Sequence, residues 1–326
     1  MKVEQVTDEA ALKEWHAVSA VCWDHDHVAL PADPLEERLP ALDPDAPDAG
    51  ERDEFLIGSV DGRLVAIAEV NLPTLDNLQS ASLRVQVLPD QRRRGHGRAL
   101  LEAALAHAAA AGRTRFFFEV PSTYPSGDPI AAPLLRSVGA RPVLKEVRRV
   151  ADLRDRPVPD VPVADGYRIV QWIDHAPDEL VDGLAVLCAR MSTDAPQEEM
   201  DWEPEVWDAV RYRAKEERAG ARGRTRYAGA AVHEATGQVA AMTDIGLSRL
   251  RADVAYQWDT IVLTEHRGHG LGLALKARNH QLLAESSPET RWINTWNAEV
   301  NAHMIAINER LGFRPVEYWT EWQLDR

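Results

Sequence analysis

The residues of this 326-residue chain whose types and spacing suit chemistry lie in a glycine run, Arg267-Gly268-His269-Gly270-Leu271-Gly272, preceded by the apolar stretch Thr260-Ile261-Val262-Leu263. The apolar period makes the stretch a strand and the residues after Gly270 a helix. A turn of that kind aims several free backbone N–H groups at one point and adds the positive end of a helix dipole, which suits a phosphate. Glycine keeps side chains out of the anion's way. No Gly-Lys-Ser/Thr follows and no complete GxGxxG is present, which argues against nucleotide hydrolysis and dinucleotide binding. The plain alternative is a glycine turn that only lets a helix pack closely on a sheet.

The same run occurs twice. Val87-Leu-Pro-Asp-Gln-Arg92-Arg93-Arg94-Gly95-His96-Gly97 matches Val262 to Gly272, with Val87/Val262, Arg92/Arg267, Gly95/Gly270, Gly97/Gly272 and Leu100/Leu275 all separated by 175 residues. A second block, Val138-Gly-Ala-Arg-Pro-Val143 against Leu311-Gly-Phe-Arg-Pro-Val316, keeps a separation of 173. The chain therefore reads as a duplicated domain. Proline-rich Asp155–Gly166 suits an extended connector, so the expected layout is residues 1–155, a linker at 156–164, and residues 165–326.

Each copy must position its loop with the same elements. In the first, a short strand precedes a helix near Glu9–Trp23. A hairpin then turns at Asp61-Gly62 between Phe55–Val60 and Leu64–Val70. Next come a strand at Ala81–Leu88, a helix at about 95–111, a strand at Thr114–Val120, a short helix before Gly139 and a strand at Pro142–Val150. The second repeats the plan: strand Tyr167–Val170, helices Asp178–Met191 and Glu203–Arg218, and strands either side of Thr236-Gly237. Strand Asp253–Leu263 leads to a helix at about 270–285, strand Arg291–Trp296, helix Glu299–Leu311 and strand Val316–Gln323. Mostly antiparallel strands with one strand-to-helix crossover per copy predict an α+β fold: two tandem domains, each a mixed sheet with helices on both faces.

Composition narrows the function classes. The formal net charge of −15 disfavours a nucleic-acid or anionic-membrane partner and suits an amine-bearing ligand. Only Cys22 and Cys188 are present, without CxxC spacing, so neither a disulfide framework nor structural zinc is expected. The acidic N-terminal residues do not resemble a signal peptide, and even the alanine-rich 99–112 stretch is too short and too polar to span a bilayer, so a cytoplasmic location is expected. The 32 Arg against 5 Lys point to a GC-rich bacterial genome. Trp23-Asp-His25-Asp-His27 carries metal-capable types, but a solvated loop is the better reading and no metal is expected. Eight of the ten tryptophans follow residue 160; Trp202, Trp207, Trp258 and Trp296 suit either core packing or an acceptor site. The acidic run Glu198–Glu203 reads as an exposed face that also suits an amine.

Val-x-x-x-x-Arg-x-x-Gly-x-Gly followed by Asn301 to Phe313, Asn-x-x-x-x-x-x-Asn-x-x-Leu-Gly-Phe, resembles the GNAT superfamily of acyl-CoA-dependent N-acyltransferases. The tandem layout resembles mycothiol synthase and related actinobacterial two-domain acetyltransferases. The resemblance implies that Arg267, Gly268, His269, Gly270, Leu271 and Gly272 hold the coenzyme A pyrophosphate. It implies that Thr260, Ile261, Val262 and Leu263 pair with the pantetheine and polarise the thioester carbonyl, and that Asn301 contacts the coenzyme. Val87, Arg92, Arg93, Arg94, Gly95, His96 and Gly97 form a second candidate coenzyme site.

The departures from the family pattern are equally specific. Asn308 stands where the family often has a tyrosine acid, with Leu135 in the first copy, and Tyr256 and Ala81 stand where some members have a glutamate base. Asp259 lies on Tyr256's strand but with opposite parity unless a bulge re-aims it, so Asp259, Tyr256 and Asn308 are the candidate catalytic residues. In the first copy Asp128, Leu135 and Ala140 replace Asn301, Asn308 and Phe313, and Pro121, Pro125, Pro129 and Pro133 interrupt the segment. The second copy is thus the expected catalytic one and the first a scaffold or non-catalytic coenzyme site. The expected reaction is acetyl transfer from acetyl-CoA to a small-molecule amine by direct attack in a ternary complex. The rivals are O-acyl transfer, malonyl decarboxylation, or a non-catalytic coenzyme-binding module. The expected assembly is a monomer built as an internal pseudo-dimer, or a homodimer.

Overall fold

The fold is described from a computed structural model, for all residues except 28, 123–128, 156 and 195. The chain forms two compact units that are not contiguous halves. One comprises Met1–Glu146, Gln197–Trp202 and Glu317–Arg326; the other comprises Val147–Pro196 and Glu203–Val316. This differs from a simple division at 156–164, because the chain's last strand is built into its first unit.

In the first unit, β1 (Lys2–Gln5), β2 (Glu51–Val60), β3 (Arg63–Pro73), β4 (Ser80–Val87) and β5 (Arg115–Ser122) lie side by side in sequence order. The sixth member is β12 (Arg314–Asp325), whose Tyr318–Asp325 pair antiparallel with Ser122–Arg115. Only β4 and β5 are parallel, and they pair over just three residues, Ser80–Ser82 against Arg115–Phe117. Beyond Ser82 the two strands separate. On one face α2 (His96–Ala110) and α3 (Ala132–Ser137) bury Leu100, Leu101, Leu105 and Leu135 against Ala81, Leu83, Phe116, Phe118 and Trp322. On the other, α1 (Glu9–Asp26) packs Leu12, Trp15, Val18 and Cys22 onto Phe55 and Ile67. Asp8 caps α1 by accepting from the Ala11 N–H at 2.8 Å.

The second unit repeats the plan with β7 (Tyr167–Ile173), β8 (Arg224–His233), β9 (Val239–Ser248), β10 (Arg251–Val262) and β11 (Trp292–Ala298), in the order β11-β10-β9-β8-β7. Next to β11 lies the later part of β6 (Arg141–Asp152). Here too a parallel pair, β10 with β11, extends over three residues, Val254–Tyr256 against Trp292–Asn294. Helices α4 (Val181–Asp194) and α5 (Ala209–Ala221) cover one face, and α6 (Leu271–Ser286) with α7 (Ala302–Arg310) the other. The tandem α+β architecture, with helices on both faces of each sheet, is as the sequence predicts.

Two local expectations are corrected. The helix expected over Glu203–Arg218 starts at Ala209, because Asp208 takes the Arg211 N–H at 2.8 Å and fixes the cap there. The Trp23–His27 segment is not a solvated loop: α1 runs through Asp26, and His27 donates to Glu317 at 3.2 Å. Asp128 and Pro125 lie outside the described residues. Among the described residues no helix is long and apolar enough to cross a membrane.

Candidate active site

The second unit's glycine loop links β10 to α6. Gly268 (φ +85°) and Gly270 (φ +70°) both occupy the left-handed region, which a side-chain-bearing residue enters only at a cost. Gly270 is the N-cap of α6, so the first-turn N–H groups, including those of Leu271 and Gly272, have no partner within the helix. Residues 267–270 are exposed and nothing lies within 4 Å of where a Cβ on Gly268 or Gly270 would stand. An anion can therefore reach the backbone. The donor set and the open approach fit a pyrophosphate.

The Arg267 side chain plays a different part from the one its position suggests. Its Nε donates to the Val262 carbonyl at 3.2 Å and its Nη2 to Asp194 at 2.7 Å, at the end of α4. It braces the loop against the preceding strand. The first unit builds the same brace: Arg92 donates through Nε to the Val87 carbonyl at 2.9 Å, and through both terminal nitrogens to Asp26 at 2.8 and 2.7 Å. Burial pushes the Asp26 carboxyl up, but hydrogen bonds from Arg92 and His25 outweigh it and hold the group below its ordinary value. Arg93, Arg94 and Gly95 are exposed, and His96 and Gly97 half-buried, so cationic side chains flank this loop as well. His269 lies edge-on to Tyr167 at 5.3 Å, and Tyr167's hydroxyl meets His266 Nδ1 at 2.8 Å.

The strand before the loop carries a bulge. Gln257 faces Ile245 of β9 but Thr260 faces Thr243, so three steps on β10 match two on β9. The extra residue changes parity. Ala255 packs on the α6 face, whereas Ile261 and Leu263 pack toward α4. Asp259 thereby reaches the α5 face, where Lys215 donates to its Oδ2 at 3.0 Å. The first unit's β4 shows no such step; its register with β3 is even from Ser82 to Val87. Because β11 leaves β10 after Tyr256, the backbone of 258–262 is unpaired on that side and available to an extended ligand.

Above the bulge, Tyr256 and Trp296 stack at 6.3 Å with planes 14° apart, and the Arg224 guanidinium sits 5.5 Å from the Tyr256 ring and 5.9 Å from Trp258. Trp258 lies in a slot made by Gly246, where a Cβ would stand 2.1 Å from the indole. Trp207 packs under Arg211 at 4.3 Å, while Trp202 belongs to the first unit and lies 5.6 Å from Phe117. Asn301 caps α7 by accepting from the Met304 N–H at 3.1 Å. Asn308 is fully buried, accepting from Lys276 at 2.6 Å and donating to Asn297 at 2.6 Å. Burial pushes the Cys22 and Cys188 thiols up to about 11, so neither is poised as a nucleophile.

The first unit holds a group of carboxylates that the sequence reading did not single out. Glu119 on β5 and Glu321 on β12 are direct cross-strand partners. Burial and the nearby Glu119 push Glu146 up to about 7, and burial with Glu119 and Glu146 raises Glu321 despite Arg84. Arg84 bonds Glu69 at 3.1 Å and Glu119 at 3.4 Å beneath Trp23, 5.2 Å from its ring. Pairing across β5 and β12 joins residues some 200 positions apart, which no local spacing reveals.

With this geometry established, the relatives place the chain in a class. Residues 12–132 match the model of the acetyltransferase (GNAT) family. A tandem GNAT protein from the clavulanic acid biosynthesis pathway, solved without acetyl-CoA, superposes with a TM-score of 0.82 at 29% identity, over 99% of this chain and 98% of its own. A GCN5-related N-acetyltransferase from Sphaerobacter thermophilus gives 0.71 at 16% identity, over 99% and 95%. A putative acetyltransferase from Pyrococcus horikoshii gives 0.60 at 12%, over 100% and 89%; the last two likenesses concern the fold alone. No curated protein matches the chain at a significant level. Residues 12–132 thus carry a GNAT-type domain, and the chain as a whole is similar in fold to a tandem GNAT protein.

Proposed function

We propose that the protein transfers an acetyl group from acetyl-CoA to the nitrogen of a small amine, by direct attack in a ternary complex, and that the second unit is the catalytic one. The observation that carries the reading is the β10 bulge. It brings Asp259 to the face of α5 beside an unpaired strand edge that runs straight into the open glycine loop. Gly268 to Gly272 take the pyrophosphate through the backbone, Arg267 shapes the loop, and 260–263 line the pantetheine. Tyr256, Trp258 and Trp296 form the aromatic wall of the acceptor site. Asp259 takes the amine's proton through water: Lys215 engages its Oδ2, and no described residue bonds its Oδ1. No step in this scheme calls for a metal.

A second reading places acetylation in the first unit, with the Glu119, Glu146 and Glu321 group as base. It is favoured by the raised Glu146 carboxyl, whose value of about 7 suits proton removal near neutral pH. Calorimetric titration with acetyl-CoA on the wild type, Gly270→Glu and Gly95→Glu separates the two. Binding lost only with Gly270→Glu supports the second unit. Binding lost only with Gly95→Glu moves the reaction to the first. No binding by folded wild type overturns both.

A further inference from the structure

On the α5 side of its sheet the second unit carries a row of charges of alternating sign. Glu216 of α5 stands 3.8 Å from the Arg226 guanidinium of β8, which donates to Asp244 Oδ2 of β9 at 2.8 Å. Lys215 of α5 comes next, 3.8 Å from the same Asp244 oxygen, and donates to Asp259 Oδ2 of β10 at 3.0 Å. The side chains of Glu216, Arg226 and Asp244 are 6% exposed or less, whereas those of Lys215 and Asp259 are 23% and 35% exposed. The row therefore runs from the interior outward and ends on Asp259. Cys188 of α4 and Tyr212 of α5 border it, and burial pushes the thiol up to about 11 and the phenol up to about 12.

The duplication shows what is particular to this unit. At the separation of 175 residues Asp244 corresponds to Glu69 and Asp259 to Arg84. In the first unit those two are direct cross-strand partners, and Arg84 donates to Glu69 at 3.1 Å. The countercharge there is fixed on the neighbouring strand. In the second unit both strand positions are carboxylates, with Asp244 lying between Thr243 and Ile245 opposite the bulge. The cation that serves them comes instead from a helix, on a flexible four-carbon stem.

Lys215 is placed to change partners. Burial pulls its ammonium down, but Asp259 and Asp244 outweigh burial and hold it above its ordinary value, so it stays charged. An ammonium has three donors, and among the described residues only Asp259 Oδ2 takes one of them. Asp244 Oδ1 is buried and has no hydrogen-bond partner among the described residues. One ammonium thus stands between two carboxylates, and the farther one offers an unused oxygen.

On the reading that Asp259 is the base, we propose that Lys215 is its movable counter-ion, paired with Asp259 while that carboxylate is charged and with Asp244 once Asp259 has taken the amine's proton. Lys215 and Asp244 are positioning residues and touch no reacting atom. As the amine nitrogen bonds to the thioester carbon, the C–S bond breaks and its electron pair goes to sulfur; the thiolate later takes a proton from solvent. The nitrogen's surplus proton passes through water to Asp259. With that carboxyl neutral, the ammonium swings to Asp244 without losing a proton, so the buried cation is never left without a carboxylate. When Asp259 returns its proton to solvent, Lys215 returns to it.

The first test is the crystal structure of full-length Asp259→Asn, which imitates the protonated carboxyl and needs no ligand. The expected result is Lys215 Nζ within hydrogen-bond distance of Asp244 and withdrawn from the side chain at 259. An ammonium that stays on residue 259, with Asp244 still 3.8 Å away, overturns the movable counter-ion. Turnover gives a second measurement should that variant not fold, read as thiol release from acetyl-CoA with the amine that wild type uses fastest in a panel of primary amines. Asp244→Asn and Lys215→Met should each lower kcat about tenfold while calorimetry finds wild-type affinity for acetyl-CoA. Unchanged kcat in both overturns the role given to Lys215. Full activity in Asp259→Asn overturns the parent reading of Asp259 and the counter-ion's part in the reaction with it, whichever carboxylate the ammonium meets in the crystal.

Discussion

At the scale of single residues, the two glycine loops are shaped by arginines whose side chains turn back to bond the protein itself. Arg267 and Arg92 each return to the carbonyl of a valine five residues earlier and pair with an aspartate at the end of a helix, Asp194 or Asp26. A planar guanidinium serves the two acceptors from separate nitrogens, Nε and Nη2; an ammonium carries all its donors on one nitrogen. Arg267→Ala should weaken acetyl-CoA binding about tenfold, and Arg267→Lys should recover little of it. Titration calorimetry reads both, and wild-type affinity in Arg267→Lys would mean that charge rather than bracing is what the loop needs. A second residue-scale outcome concerns Glu146. Its folded-state value of about 7 exceeds the ordinary 4.5, so the folded protein holds a proton that the unfolded chain has lost. Stability should fall as pH rises from about 4.5 to about 7, and Glu146→Gln should flatten that decline in denaturant melts.

At the scale of elements, the strands and helices that carry the loops were legible because each had a strong local signal: Asp61-Gly62 for the hairpin, glycine pairs for the turns into α2 and α6. The bulge in β10 was not, since an extra residue shows only against a partner strand. Its consequence, Asp259 on the face of α5, followed from register and not from composition. Nor did the side chain of Arg267 announce its inward bond, since an arginine beside glycines suits a phosphate equally well. Helix α6 carries the opposite case: lysine and histidine ordinarily keep their polar ends in solvent, yet Lys276 and His280 lie in the interior. That burial has a measurable signature. Lys276 stands at about 7 when folded against 10.5 ordinarily, so between these values the unfolded chain holds the extra proton. Stability should rise as pH climbs from about 7 toward 10.5, by a few kcal/mol on the order of magnitude. Lys276→Leu should remove the rise, and a rise that survives the substitution would place its origin elsewhere.

At the scale of the molecule, the repeat was readable in the sequence but the exchange of its last strand was not, because both copies end in a similar Leu/Val-Gly-x-Arg-Pro-Val strand and nothing in that text says which unit each strand completes. The chain begins β12 in its second unit and finishes it in the first, from Glu317 onward. There it supplies eight residues in register with β5 and buries Trp319, Trp322 and Leu324 to 5% exposure or less. Removing one buried aromatic costs about 3–5 kcal/mol, and a domain's whole stability is about 5–15 kcal/mol. Loss of two such side chains and a strand's hydrogen bonds should therefore exceed what the first unit has to spare. Deleting residues 317–326 should abolish amide protection in β3, β4, β5 and α2, the first unit's own elements, although the deletion lies more than 190 residues away from them in sequence. The second unit, whose β7–β11 keep all their partners, should retain protection in β8, β9 and β10. For the same reason a fragment of residues 1–155 should not fold alone, and adding a peptide of residues 317–326 should restore part of its protection. Hydrogen exchange read by mass spectrometry decides between this and the opposite outcome, loss confined to the second unit, which would mean that the strand is completed where its chain neighbours are.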